Sequence, residues 1–179
     1  FIKNLKLTSA LHYTRGKGYF EQFKANEDFS DYGLAPLNFA NDTITHTDLI
    51  RRRWLDNHFY GGIFSLSYDK GPLNLVFGGG INQYIGGHYG EIIWAEFASN
   101  GDIRDRYYDN DATKNEAHSY LKGTYKLGKL TLFGDVQYRH IEYSFLGIDE
   151  VNGTIIPVDQ NVSFDFINPK AGFMYDFNS

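Results

Sequence analysis

Residues Glu116–Phe145 read EAHSYLKGTYKLGKLTLFGDVQYRHIEYSF. On either side of Gly128-Lys129 the residues alternate with period two, which specifies a β-hairpin. Glycine at the first central position supplies the positive φ that a type II′ turn needs, and the turn sets the register of both arms. Leu127 then faces Leu130, Tyr125 faces Leu132, Gly123 faces Gly134, Leu121 faces Val136 and Ser119 faces Tyr138, a row of apolar or small residues. The other face pairs Lys126 with Thr131, Thr124 with Phe133, Lys122 with Asp135, Tyr120 with Gln137 and His118 with Arg139, and is polar except for Phe133. Each arm exceeds the roughly 9 to 11 tilted residues that cross a bilayer core, so one face meets hydrocarbon and the other water. A long hairpin in a soluble β-sandwich or lipocalin-like barrel would show the same alternation.

Composition narrows the class. With 14 Tyr, 15 Phe and 19 Gly but one Met among 179 residues, the profile is that of strands and turns rather than helices. The lack of cysteine excludes a disulfide framework and a thiolate metal site. A mean hydropathy of -0.43 leaves no window with the roughly 18 consecutive apolar residues of a membrane helix, but barrel strands expose only alternate residues to lipid. A formal charge of -5 without a sustained basic stripe argues against nucleic acid. Phe1 and Asn178-Ser179 both fall beside strand-like sequence, which sets the expectation of an excerpt from a longer chain. Neither a signal peptide nor a lipidation motif is visible.

Outside the hairpin, Leu5 to Arg15 alternates with Leu5, Leu7, Leu11 and Tyr13 on one face and extends through Tyr19 and Phe20. Glu21 to Asn57 reads as a long polar loop in which Asp48 to Asp56 forms a turn of helix. His58 to Tyr68 is the next strand. Asp69-Lys70-Gly71-Pro72 reads as a four-residue turn that sets Tyr68 opposite Leu73, Leu66 opposite Leu75, Phe64 opposite Phe77 and Gly62 opposite Gly79. The cluster Gly78 to Gly80 implies a bend or close backbone approach. Gly86 to Asn115 and Gly147 to Asn161 read as two further long connections. The last strand begins with Val162, Phe164 and Phe166, changes phase at Asn168-Pro169, where a bulge is expected, and resumes with Ala171, Phe173, Tyr175 and Phe177.

These connections alternate long and short, which sorts the short turns to one rim and the long loops to the other. Outer-membrane barrels have this asymmetry; a Greek-key sandwich has no reason for it. The expected fold is therefore all-β: an antiparallel, up-and-down transmembrane β-barrel segment of about six strands. Six strands leave two edges open to lipid, so further strands from this or other chains must close the cylinder.

The segments LHYTRGKGYFEQF (Leu11–Phe23), GGIFSLSY (Gly61–Tyr68), HYGEIIWAEFASNG (His88–Gly101), RYYDNDATKNE (Arg106–Glu116) and FINPKAGFMYDF (Phe166–Phe177) resemble the barrel of TonB-dependent outer-membrane receptors, particularly those of Bacteroidetes. The resemblance covers essentially the whole chain and a middle slice of such a receptor, so residues 1–179 are expected to be a partial barrel domain lacking plug and remaining strands. It implies a 22-stranded barrel, an internal plug domain, energy delivered through TonB and multi-pass residence in the outer membrane among lipid and lipopolysaccharide. The matched segments are framework and rim, and name no ligand. A surface lipoprotein is a candidate partner.

The candidate ligand-binding residues cluster at strand tops. Trp54, His58, His88, Glu91, Trp94 and Glu96 could hold a ligand above a plug, with the aromatics stacking on a sugar, corrin or chelator, or they pack loops and form the interfacial girdle. Arg51, Arg52 and Arg53 suit an anionic chelate or lipopolysaccharide phosphates, or a solvated loop face. Arg104, Arg106, Tyr107 and Tyr108 complete the set. Asp109, Asp111 and Glu116 bring carboxylates together but lack an EF-hand pattern, and an Asx-turn is preferred to a Ca²⁺ site. Glu91 and Glu96, five residues apart, point to opposite faces of a strand unless a bulge intervenes, which argues against a glycosidase pair, and no nucleophile elbow, P-loop or HExxH motif is present. No catalytic residue, metal or cofactor is expected. The sequons at Asn41, Asn152 and Asn161 are chance matches in a bacterial envelope.

The function expected is uptake of a scarce nutrient, a ferric siderophore or other metal chelate first, with cobalamin or an oligosaccharide as competitors. A soluble carbohydrate-binding β-sandwich and a barrel hydrolase are the readings from other classes.

Overall fold

A computed structural model describes residues 3–40, 42–98, 104–151 and 154–177. The chain ends and parts of the sequons at Asn41 and Asn152, whose readings are given above, lie outside these residues. The elements in order are β1 (Leu5–Asp28), a 3-10 turn (Phe29–Tyr32), β2 (Leu37–Phe39), β3 (Asp42–Ile44), β4 (His46–Lys70), β5 (Leu73–Ala95), β6 (Arg106–Leu127), β7 (Leu130–Val151) and β8 (Thr154–Tyr175). One antiparallel sheet runs β1-β4-β5-β6-β7-β8, and β2-β3 is a small separate ladder. Among the described residues no second sheet covers the large one, which rules out the sandwich, and no ladder joins β8 to β1.

The hairpin of β6 and β7 has the expected register throughout, from Leu127 opposite Leu130 to Asp111 opposite Leu146. Gly128 has φ 61°, as its turn position demands. The turn before it corrects the sequence reading: Lys70 pairs with Leu73, so only Gly71-Pro72 lies outside the ladder. Gly71 takes φ 56° and proline keeps its ring-fixed negative φ, so Gly-Pro does what Gly-Lys does in the later hairpin. Tyr68 therefore meets Leu75, Leu66 meets Phe77 and Phe64 meets Gly79. This is a slip of two residues, which leaves every side chain on its expected face.

The larger correction concerns length. Glu21 to Asn57 is mostly strand, Asp48 to Asp56 is extended rather than helical, and residues 29–45 alone connect β1 to β4. Likewise the stretch from Gly86 to Ala95 and that from Arg106 to Asn115 are strand, and so is the stretch from Gly147 to Asn161 on both sides of residues 152–153. These segments are polar on both faces because both faces are in water, so they lose the alternation that marks a half-buried strand. Cross-strand pairs replace it: Arg52 to Glu21 at 2.6 Å, Lys17 to Asp56 at 2.9 Å and Arg15 to Asp56 at 3.3 Å. The rim asymmetry survives as strand overhang rather than as three long loops.

The expected bulge at Asn168-Pro169 is absent, since Pro169 pairs with Val136 in an unbroken ladder. Its two apolar runs lie on opposite faces. Val162, Phe164 and Phe166 share a side with Tyr143, Ile141 and Arg139, and Ala171, Phe173 and Tyr175 share the other with Gly134, Leu132 and Leu130. Register shifts occur instead between Lys24 and Glu27, between Ile50 and Arg51, and between Gly90 and Glu91, all near the polar rim.

Directly paired residues share a face, so the ladders place the apolar band on one side. Its upper edge is Tyr13 on β1, Tyr60 on β4, Ile81 on β5, Ala117 on β6, Tyr138 on β7 and Ile167 on β8. Relative to the hydrogen-bonded rows this edge steps down by two rows, about four residues, across five ladders. With a rise of about 3.4 Å and a strand spacing of about 4.8 Å, the strands lean by about 30° from the bilayer normal. A barrel's strands lean close to this. The band from Ala117 to Leu127 then spans about 30 Å of membrane height, within the range of a hydrocarbon core.

Above the band, a small core ties the 29–45 connection to the strands. Phe29 and Leu49 are fully buried, and Tyr32, Leu49 and Ile92 form a cluster packed by Leu34, Ala95 and Tyr107. Asp28 caps the 3-10 turn by accepting from the Ser30 amide, and Gly33 closes it at φ 68°. Leu49→Ala opens a cavity in a core too small to rearrange around it, at a local cost of about 2–5 kcal/mol. The expected result is faster protease cleavage within 29–45 with the heat-modifiable gel mobility of the barrel unchanged.

Candidate functional site

Three consecutive arginines on β4 alternate across the sheet. Arg51 pairs in register with Gln22 and Ile92, Arg53 with Phe20 and Gly90, and both lie on the inner face; Arg52, opposite Glu21 and Glu91, lies on the outer face. The outer arginine is bonded to the Glu21 carboxylate at 2.6 Å, with its guanidinium 4.1 Å from the Tyr19 ring. The inner two form no ion pair among the described residues. Arg51 donates to Gln22 Oε1 at 2.7 and 3.1 Å and to the Tyr32 hydroxyl at 3.3 Å. Arg53 donates through Nε to the Tyr108 hydroxyl at 3.0 Å. Their direct partners are therefore neutral, and the Glu27 carboxylate beyond the Tyr32 hydroxyl is itself paired with Lys24 at 3.2 Å.

Tyr32 in turn donates to Glu27 Oε2 at 2.6 Å. Burial, and then this bond, push the Tyr32 phenol well above its ordinary value, so it stays a neutral donor. The same bond holds the Glu27 carboxyl below its ordinary 4.5. A depressed carboxyl stabilises the fold above its unfolded value and loses that contribution as pH falls through its lowered one. Amide exchange at residues 29–34, corrected for intrinsic rate, should therefore accelerate under acid below 4.5, and Glu27→Gln should show the acceleration at neutral pH as well.

The other candidates divide between the faces. Trp54, Glu91 and Arg106 are outward: Trp54 donates to Glu91 Oε2 at 2.9 Å and stacks on Tyr89 at 5.8 Å, and Arg106 lies 3.6 Å from the Tyr89 ring centre and bonds Asp109 at 2.6 Å. His58 is outward, 2.9 Å from the Tyr13 hydroxyl. Trp94 pairs with Ile50 on the same side and is largely exposed. His88 is inward and exposed, in the row of Leu55 and Asn110. Tyr107, bulged from the ladder, packs edge-on against Tyr32 at 4.9 Å. Arg104 takes φ 84° in the connection before β6 and donates its amide to Ile92. The structure thus separates the cluster read from the sequence, gathering Arg51, Arg53, Tyr107 and Tyr108 with Tyr32, Gln22 and Phe20. These last three the sequence reading missed, because Gln22 and Tyr32 fell in a supposed loop; an extension of the β1 alternation past Phe20 would have found Gln22.

Asp109, Asp111 and Glu116 form neither a loop nor an Asx-turn. They are strand residues, the first two outward and Glu116 inward, where it accepts from Arg139 at 2.8 Å. Among the described residues no group of carboxylates, histidines or cysteines could hold a metal ion.

Charge also sorts across the sheet. Among residues whose side chains are described, inward strand positions carry Lys6, Lys24, Arg51, Arg53, Lys114, Lys122, Lys126, Arg139 and Lys170 against Glu27, Asp69, Glu116 and Asp135. The outward face holds the excess of carboxylates, so the inner wall is net positive in a chain whose formal charge is -5.

A family profile described as "TonB dependent receptor-like, beta-barrel" matches residues 2–179. The chain belongs to the TonB-dependent receptors. Comparison with curated proteins and with solved structures finds no match. As a receptor barrel of this family the chain resides in the outer membrane, with its apolar band against lipid and its polar face toward the lumen. The family is one of transporters rather than enzymes: it takes up small molecules across the outer membrane and works with TonB. The two-residue turns at 71–72 and 128–129 lie at the periplasmic rim, and the overhanging strands carry Arg51 and Arg53 about 20 Å above the hydrocarbon, on the extracellular side.

Proposed function

We propose that this receptor barrel takes up an anionic metal chelate, a ferric siderophore first among them, and that Arg51 and Arg53 with Tyr32 and Tyr108 form part of its capture site at the extracellular mouth of the lumen. The observation that carries the reading is the pair of inward guanidiniums held by a carboxamide and two phenols. Neutral partners leave a positive field over the lumen, which raises the local concentration of an anion and offers planar forks to carboxylate or catecholate oxygens. The charge sorting of the wall extends that field downward. Capture is followed by movement of a plug that lies outside this chain, driven through TonB; the wall does no bond chemistry.

The outward position of Trp54, Tyr89 and Trp94 counts against their stacking on a sugar or corrin in the lumen, and the inward tyrosines Tyr32, Tyr107 and Tyr108 are engaged with the arginines and with one another. Uptake tests the proposal. Cells carrying the full-length receptor should accumulate radio-iron supplied as an anionic chelate, with competition by other anionic chelates and none by cobalamin or neutral oligosaccharides. Uptake of cobalamin or a neutral sugar with no iron accumulation would overturn it.

A further inference from the structure

Charge on the outer face above the apolar band is uneven. Arg52 is bracketed in register by Glu21 and Glu91, and Arg106 is bonded to Asp109 at 2.6 Å. Strands β7 and β8 turn Glu142, Asp159 and Asp165 outward, with no outward lysine or arginine on either strand among the described residues. At one place the balance reverses. Arg15 and Lys17 on β1 both reach the single carboxylate of Asp56 on β4, at 3.3 and 2.9 Å, so two fixed cations share one anion. The cations are also the outermost members of the group: their side chains are 50% and 45% exposed, against 22% for Asp56. Arg15 spends only Nη2 on the carboxylate, and its other N–H groups have no partner among the described residues.

The ladders fix the height of this pair. Tyr13, opposite Tyr60, closes the apolar band on this side, and Arg15 and Lys17 are the next two outward residues of β1. On a strand leaning by about 30° they stand about 6 and 12 Å above the hydrocarbon. Below them Leu7 and Leu11 are exposed on the lipid-facing side.

We propose that Arg15 and Lys17 bind a phosphate of the lipid A headgroup of lipopolysaccharide. Lipid A carries its phosphates on sugars directly above its acyl chains, so a molecule whose chains lie against Leu7 and Leu11 presents phosphate at this level. A phosphate monoester brings about -1.5 to -2 charges and three acceptor oxygens, which match the unpartnered N–H groups on the exposed side of the two cations. Asp56 leaves them a surplus of one positive charge. Elsewhere on the outer face above the band the same phosphate meets carboxylates that equal or outnumber their cations. The barrel would therefore hold one lipid A at a definite position on its circumference instead of a uniform ring.

The proposal rests on the membrane orientation of the family and not on the transported ligand. Failure of iron uptake leaves it standing, and its own failure leaves the capture site standing. The test is native mass spectrometry of the full-length receptor, purified in detergent with a chelator of divalent cations and offered lipid A and its dephosphorylated counterpart in equal amounts. Lipid A should be retained in excess, and added inorganic phosphate, which lacks the acyl chains, should not displace it. Arg15→Gln and Lys17→Gln should each reduce the ratio of the two adducts about fivefold, the worth of a partly exposed ion pair. Asp56→Asn raises the surplus from one charge to two and should increase the ratio. Arg52→Gln, on the same face but paired with Glu21, should change it by less than about twofold. Changes of opposite sign at Asp56 and at its two partners separate contact with phosphate from a structural role of the ion pairs. Heat-modifiable mobility reports that each variant is folded, and either cation variant decides the matter if the other fails that check. Equal retention of the two lipids, a ratio unmoved in the folded cation variants, or displacement by inorganic phosphate overturns the proposal. So does a preference for lipid A that appears only when divalent cations are restored, which would assign the headgroup to a metal bridge on the acidic flank.

Discussion

Leu121→Arg is expected to destabilise the folded barrel by about 2–4 kcal/mol, while Thr124→Arg, three residues along the same strand, costs within about 0.5 kcal/mol. Leu121 sits near the middle of the outward band, in the row of Leu7, Leu66, Phe77, Val136 and Pro169, where a guanidinium meets hydrocarbon far from either interface. Thr124 shares the inner face with Phe133 and Asn74. An arginine there joins Lys122 and Lys126 in a wet lumen. Extended to each position from Ser119 to Tyr125, the scan should oscillate with period two. Denaturant unfolding of the full-length receptor in lipid vesicles reads the cost directly. A flat scan, or one whose costs fall on the even positions, would reverse the assignment of faces, and with it every placement of a residue toward lipid or lumen.

Arg53→Gln is expected to weaken binding of an anionic ferric chelate by about 10- to 100-fold, since a hydrogen bond to a charged group contributes about 1.5–3 kcal/mol. Arg51→Gln should fall in the same range, with a part of its effect coming from the loss of its bond to Tyr32. The neighbouring Arg52→Gln supplies the comparison. Its side chain is already paired with Glu21 on the outer face, so affinity should change by less than about threefold. Three adjacent residues of one type, differing only in which way the strand turns them, thus separate a lumenal site from a general effect of removing positive charge. Equilibrium binding to the purified full-length receptor at fixed ionic strength decides it. On lowering salt, the Arg51→Gln and Arg53→Gln receptors should each gain less affinity than the unaltered receptor, because their share of the attracting field is removed. Equal losses at all three positions would sink the lumenal capture site.

The membrane-crossing half of this fold was legible in the sequence because the bilayer imposes a strict rule. A strand with lipid on one side and water on the other must alternate, and glycine-led two-residue turns leave little freedom in register. The hairpin around Gly128 is matched residue for residue, and even the two-residue slip at Gly71-Pro72 kept Leu66, Phe77 and Leu121 in the lipid row. The extracellular half follows no such rule. Gln22, Arg51, Arg53 and Tyr108 lie on strands wetted on both faces, so any residue suits either side and composition resembles that of a loop.

By itself, then, the order of residues determined the strand class, the lipid face and the membership in a barrel, since all three follow from period-two alternation against hydrocarbon. It left open which of Arg51, Arg52 and Arg53 look into the lumen, and whether Trp54 stacks on a ligand or on Tyr89. Only the tertiary structure decided those, because the inward direction at the rim depends on counting a ladder upward from the membrane that runs unbroken from Tyr60 to Arg51 and shifts only beyond it, between Arg51 and Ile50, where no local pattern announces the end of the count. The neutral partners of the inner guanidiniums come from two separate strands and a connection, brought together around β4 by pairing between residues as far apart as Arg53 and Tyr108.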